Sequence, residues 1–159
     1  MPCCCNMAKA TYVFLFIVAA IFGCIQADND DQNTKPEFNL GRTIHGCIAK
    51  FNVTDEQMTA VMKTGDARAI TPCFWSCCFK GAGVLNSDGE YDLDATLDLG
   101  KNMLVYSIYI KAEEIAKKCG SVNDESVIIG DTGCERGILL ANCMIENGKK
   151  LFPKMFHSD

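Results

Sequence analysis

Two pairs of closely spaced cysteines constrain this chain more than any other feature. Cys73 and Cys77 stand four residues apart. On a helix, residues at that spacing lie one above the other on the same face, so we expect each to bond to a different neighbour. Cys134 and Cys143 are nine residues apart, and nine steps of 100° place them on opposite sides of a helix. The spacing therefore predicts helices that are crosslinked to several other elements.

The first 27 residues are predicted to be a secretory signal peptide. Lys9 precedes an uncharged apolar run over residues 12–25, and Ala27 is followed by the polar residues 28–32. This order is typical of a leader cleaved near Ala27, and its apolar core is shorter than the roughly 20 residues that a membrane span needs. We therefore expect a secreted, extracellular chain with one domain at residues 28–159 and no membrane span.

The predicted mature chain keeps seven cysteines: Cys47, Cys73, Cys77, Cys78, Cys119, Cys134 and Cys143. In a secreted chain such a set predicts a disulfide framework, and six cysteines allow fifteen pairings. His45 and His157 are not in a zinc-binding spacing with cysteine, so no metal and no cofactor is expected. The net charge of −5 without a long basic run argues against a nucleic-acid partner.

Apolar residues recur at helical spacing along most of the mature chain. Thr54 with Gln57 three residues later forms a capping-box pattern, which predicts a helix start. Pro72 predicts another start, since proline is favoured in the first turn. Together with the other apolar patterns, these signals predict six helices at residues 37–50, 54–65, 73–80, 92–100, 102–119 and 132–148. No strand alternation is present, so the expected fold is all-α.

The gaps between six of the cysteines resemble a known pattern. From Cys47 to Cys143, the residues between successive cysteines number 25, 3, 41, 14 and 8 when Cys78 is set aside. This pattern resembles that of the six-cysteine insect odorant-binding proteins, the pheromone-binding and general odorant-binding family. The resemblance implies a compact bundle of about six helices held by three interlocked disulfides around an apolar cavity. It also implies the disulfide pairing, which is Cys47–Cys77, Cys73–Cys134 and Cys119–Cys143.

The resemblance implies a secreted carrier that binds small apolar ligands (odorants, pheromones or related lipids) and carries them through aqueous fluid to receptors. The alternative is a non-olfactory member of the same fold, acting as a general lipid carrier or a protein-interaction protein in saliva, gut or glands. An enzyme is not expected, because Cys77-Cys78 lacks the neighbouring histidine of phospholipases A2 and no Gly-X-Ser-X-Gly elbow occurs. We expect a monomer or weak homodimer, with an olfactory receptor as a candidate partner.

The candidate ligand-binding residues have three origins. Family structures place pocket positions two residues after the second and third cysteines, here Trp75 and Phe79. Helix faces predicted to point inward add Leu40, Val84, Leu85, Val105, Tyr109, Ala112, Ala116, Leu140 and Met144, with the Tyr109 hydroxyl as the expected polar anchor. The tail residues Phe152 and Phe156 are expected to cover the pocket mouth. The alternative for each of these residues is a place in the ordinary core.

Two features lie outside the family pattern. Cys78 competes with Cys77 for Cys47, but the family spacing and the helical match with Cys73 favour Cys77. The interpretation we favour for Cys78 is a free buried thiol rather than an intermolecular bridge. Asn52 begins the sequence Asn-Val-Thr, which is a glycosylation sequon and makes Asn52 a candidate acceptor.

Overall fold

The computed structural model describes residues 40–127 and 133–153. Within them lie six α-helices: α1 (Leu40–Phe51), α2 (Asp55–Thr64), α3 (Pro72–Gly81), α4 (Leu93–Met103), α5 (Tyr106–Lys118) and α6 (Cys134–Leu151). Two short 3-10 helices, Ala67–Ala69 and Cys119–Asp124, follow α2 and α5. The predicted all-α class is confirmed. The predicted signal peptide at 1–27, residues 28–39 and Phe156 lie outside the described residues.

The predicted helix starts are formed by the expected contacts. Thr54 Oγ1 accepts the backbone N–H of Gln57 at 3.3 Å, and the Thr54 N–H donates to Gln57 Oε1 at 3.0 Å. The capping box at α2 is therefore confirmed. Pro72 occupies the first turn of α3, as its fixed φ favours. At the end of α2, Gly65 has a left-handed φ of 73°, which is the common way to stop a helix.

The interpretation of residues 102–119 as one helix is wrong at its start. α4 continues to Met103, and Leu104 and Val105 are extended, with ψ of 142° and 146°. The N–H groups of Ile108 and Tyr109 donate to the Val105 carbonyl, so Val105 caps α5 instead of lying inside it. The apolar run at this junction continues the helical periodicity, and for that reason the periodicity did not reveal the break.

Helix α3 is the crosslinked centre of the bundle. Cys47–Cys77 joins it to α1, and Cys73–Cys134 joins it to α6. The third bridge, Cys119–Cys143, joins the 3-10 helix after α5 to α6. This is the pairing that the family resemblance implies, and each bridge is expected to stabilise the fold by about 2–4 kcal/mol.

Helices α3 and α6 approach each other closely at Gly137. A Cβ atom built on Gly137 would lie 2.5 Å from the backbone nitrogen of Ser76, which is closer than real Cβ contacts. Ser76 is itself buried, with 3% of its surface exposed. Glycine therefore permits this contact, one turn away from the Cys73–Cys134 bridge.

Side-chain hydrogen bonds fix both 3-10 helices to the bundle. The indole N–H of Trp75 donates to the Ala67 carbonyl at 2.9 Å, and the Ala67 N–H donates to Oδ1 of Asn142 at 2.9 Å. At the other 3-10 helix, the buried guanidinium of Arg136 donates to the carbonyl of Val122. In the ranges the structure describes, no helix is both long and apolar enough to cross a membrane.

Candidate functional site

The structure separates the candidate ligand-binding residues into a core group and a cleft group. The core group is buried in the main hydrophobic cluster and consists of Leu40, Trp75, Phe79, Val84, Leu85 and Leu140. The cleft group lines a narrow opening between α4, α5 and α6 and consists of Tyr109, Ala112, Ala116 and Met144. Met144 also belongs to the core cluster, so it joins the two groups.

The cleft has further walls that the sequence analysis did not identify. They are Thr96, Leu97 and Gly100 on α4, with Glu113 and Ile115 on α5. Thr96 and Gly100 are four residues apart, as are Ala112 and Ala116. Ala112 and Ala116 were predicted from the inward face of their helix, and a search for small side chains at this spacing would also have marked the α4 pair.

Small side chains allow α4 and α5 to lie close together at the cleft. A Cβ atom on Gly100 would be 3.4 Å from Cδ2 of Tyr109, so the Tyr109 ring packs over the α4 backbone. Ala112 and Ala116 contribute only methyl groups to the same cleft. The remaining space accommodates about one water molecule. Side chains therefore fill most of this cleft, and a ligand bound in it would have to displace some of them.

Few polar groups line the cleft, and two of them have partners within the protein. The Thr96 hydroxyl donates to the Asp92 carbonyl at 2.7 Å. Glu113 accepts from Lys117 Nζ at 2.7 Å, and this hydrogen bond raises the pKa of Lys117. The Tyr109 hydroxyl has no hydrogen-bond partner among the described residues, and its expected role as a polar anchor stays a prediction.

Tyr91 holds the backbone of α5 at the cleft. Its hydroxyl donates to the Ala116 carbonyl at 3.1 Å, and burial raises the pKa of Tyr91 to about 12. The side chain of Asn123 accepts the Tyr91 N–H at 2.9 Å and donates to the Tyr91 carbonyl at 2.8 Å. The loop before α4 thus fixes one of the cleft residues in place, although the sequence analysis did not mark Tyr91 as part of the site.

Two described candidate residues, Val105 and Phe152, belong to neither the core group nor the cleft group. Val105, predicted to point inward, is 65% exposed, because it caps α5 and does not belong to the helix. Phe152 is partly buried against the core, and Lys111 Nζ lies 5.3 Å from the centre of its ring. Lys111 also donates to the Leu151 carbonyl at 3.3 Å. The expected covering of a pocket mouth by Phe152 and Phe156 stays a prediction.

Cys78 is a free thiol inside the bundle. It is 6% exposed and unbonded, whereas its neighbour Cys77 is bonded to Cys47. Burial raises the pKa of Cys78 to about 12. The prediction of a free buried thiol is confirmed, and a protonated thiol in this position is unreactive at neutral pH.

Comparison with known proteins gives one family match. A model of the PBP/GOBP family matches residues 29–147, which is most of the 159-residue chain. No curated protein and no solved structure matches the chain significantly. The matched range includes all three disulfides and every residue that lines the cleft.

Proposed function

Because the chain belongs to the PBP/GOBP family, the insect odorant- and pheromone-binding proteins, we propose that it is a secreted carrier of small apolar ligands. Members of this family are small-ligand carriers and not enzymes. In our proposal the ligands are odorants, pheromones or related lipids. They bind in the cleft between α4, α5 and α6, and the protein takes them through aqueous fluid to receptors.

The observation that carries this proposal is the apolar cleft lined by small side chains. A ligand with about 200–300 Å² of apolar surface gains roughly 5–8 kcal/mol on leaving water at 25 cal/mol per Å². Association entropy and the movement of wall side chains oppose binding, so we expect a net binding free energy weaker than about −8 kcal/mol, which corresponds to a dissociation constant above about 1 μM. Met144 is the wall residue best suited to move, because its unbranched side chain adapts to irregular spaces.

Filling the cleft tests where the ligand binds. Ala116 is 4% exposed and lines the cleft, so Ala116→Leu places three more carbon atoms in the binding space. We expect it to weaken uptake of an environment-sensitive apolar probe about tenfold or more. Ala49→Leu is the matched control, because Ala49 is exposed on α1 and is not a cleft residue. Its probe affinity should equal that of the wild type.

The same titration tests the carrier function itself. Displacement of the probe by odorants or fatty acids would support a carrier. A wild-type monomer that takes up no probe would refute the proposal and favour the protein-interaction alternative. If the probe is displaced, mass spectrometry of lipids that co-purify with the secreted protein would distinguish a general lipid carrier from an olfactory one.

A further inference from the structure

The turn between α1 and α2 is built around Asn52. The N–H of Val53 donates to the Ile48 carbonyl at 3.1 Å, and the N–H of Asn52 donates to the Ala49 carbonyl at 3.5 Å. These are the two bonds of a Schellman motif, in which the residue after the helix adopts the left-handed conformation. Asn52 has a φ of 50°, and it is the only non-glycine residue with positive φ in the described part of the chain.

The side chain of Asn52 is accessible. The residue is exposed, and no group in the described residues hydrogen-bonds to its carboxamide. Val53 and Ile48 pack against the core on the other side of the turn. The outer face of α2, the next helix along the chain, is open and forms a shallow groove lined by Asp55, Glu56, Thr59, Ala60 and Lys63. A bulky group attached to Asn52 would therefore meet solvent and not the core.

The backbone alone does not require asparagine at this position. Glycine is the usual residue at the left-handed end of a Schellman motif and adopts positive φ without steric cost. The sequon Asn52-Val53-Thr54, in contrast, requires asparagine here and a hydroxyl two residues later. It is the only Asn-X-Ser/Thr sequence in the chain. We propose that Asn52 carries an N-linked glycan.

The modification is a transfer from a lipid-linked oligosaccharide diphosphate. The carboxamide nitrogen of Asn52 forms a bond to C1 of the first sugar and loses a proton. The bond between C1 and the phosphate oxygen breaks, and the lipid diphosphate leaves with the electron pair. No atom changes its oxidation level overall, so the sugar donor is the only co-reactant.

The fold sets the time of this transfer. In the folded chain the Thr54 hydroxyl caps α2 and accepts the Gln57 N–H. The transferase must recognise that hydroxyl, so the sugar is added before the cap forms, while the chain enters the secretory route. The cleft residues all lie on α4, α5 and α6, so a glycan on the α1–α2 turn leaves the ligand site open.

The test is the mass of the full chain secreted from insect cells, before and after treatment with peptide N-glycosidase. The wild type should lose the glycan mass and gain aspartate at position 52. Thr54→Ser keeps both the sequon and a helix cap, so it should keep the glycan. Thr54→Asp keeps a good cap and Asn52→Gly keeps the left-handed turn, but both should be secreted without sugar.

The variants also separate modification from folding. All three should take up the apolar probe as the wild type does, because turn and cap are preserved. A secreted wild-type chain whose mass does not change with the glycosidase would overturn the proposal. A glycan that remains on Asn52→Gly would overturn it too, as would retention of the wild-type chain in the cytosol, where the transferase is absent.

Discussion

Shortening Met144 to alanine should weaken the fold and widen the cleft at the same time. Met144 is 3% exposed and lines the cleft from α6. Lost burial of three side-chain atoms costs about 2.4 kcal/mol at about 0.8 kcal/mol per methylene-sized group. A cavity on the order of 70 Å³ adds about 1.7 kcal/mol at about 24 cal/mol per Å³. We therefore expect the free energy of unfolding to fall by about 4 kcal/mol if the walls do not relax.

A ligand that fills the new space should restore part of this loss. At a free ligand concentration about 100 times the dissociation constant, binding adds about 2.7 kcal/mol to the stability of the folded state. The assay is urea denaturation with the disulfides intact, with and without an apolar ligand. Trp75 is a suitable reporter, because it is the only tryptophan and is 3% exposed in the native fold.

Met58→Ala is the matched control for this experiment. Met58 is 4% exposed in the core at α2, and it is not among the residues that line the cleft. We expect a similar loss of stability, in the range of about 2–5 kcal/mol for such a deletion, but no stronger ligand response. If the two variants respond to the ligand alike, or if Met144→Ala binds a bulky probe no better than the wild type, the cleft is not the binding site.

Three further measurements follow from contacts outside the cleft. Gly137→Ala should lower the free energy of unfolding by about 1–3 kcal/mol or more, because the added methyl would lie 2.5 Å from the Ser76 nitrogen. An unchanged denaturation midpoint would show that α3 and α6 can separate without cost. Thr54→Ala should lower the free energy of unfolding by about 0.5–2 kcal/mol through loss of the cap, whereas Thr54→Asp should lower it less. Equal losses of stability in the two variants would contradict a capping role. The pKa of Cys78 rises from 9.0 to about 12 on folding, so its contribution to stability is present below pH 9 and is lost as the pH rises from 9 to 12. Between pH 9 and 12 the free energy of unfolding of Cys78→Ala should therefore fall less steeply than that of the wild type, by about 1.4 kcal/mol per pH unit. An identical pH profile for the two proteins would refute burial as the cause.

Local signals in the sequence predicted most of the helices. The capping box at Thr54 and the proline at position 72 act within one turn, so each is readable without knowledge of the fold. The boundary between α4 and α5 was not readable in this way. Leu104 and Val105 continue the apolar periodicity, and the extended conformation that separates the helices leaves no mark in that pattern.

The candidate site was predicted only on its α5 and α6 sides. Ala112 and Ala116 were found because they lie on the apolar face of a long amphipathic pattern, where their small side chains leave room. Tyr91, by contrast, reaches the Ala116 carbonyl across 25 positions of sequence, and no local pattern reports a contact over that separation. Trp75 and Phe79 came from the family resemblance, and in the structure they belong to the buried cluster. Direct contact of these two side chains with a ligand stays a prediction.

The positions of the crosslinks explain how the bundle can tolerate a cleft. The three disulfides tie together α1, α3, α6 and the 3-10 helix after α5, and in the described residues none reaches α4. Helix α4 is held mainly by its packing against α5, so we expect it to be the wall that moves if a ligand binds in the cleft. Opening about 100 Å³ there would cost about 2.4 kcal/mol at 24 cal/mol per Å³. A single bridge contributes about 2–4 kcal/mol, so the crosslinked side of the bundle can offset the packing that the cleft side loses.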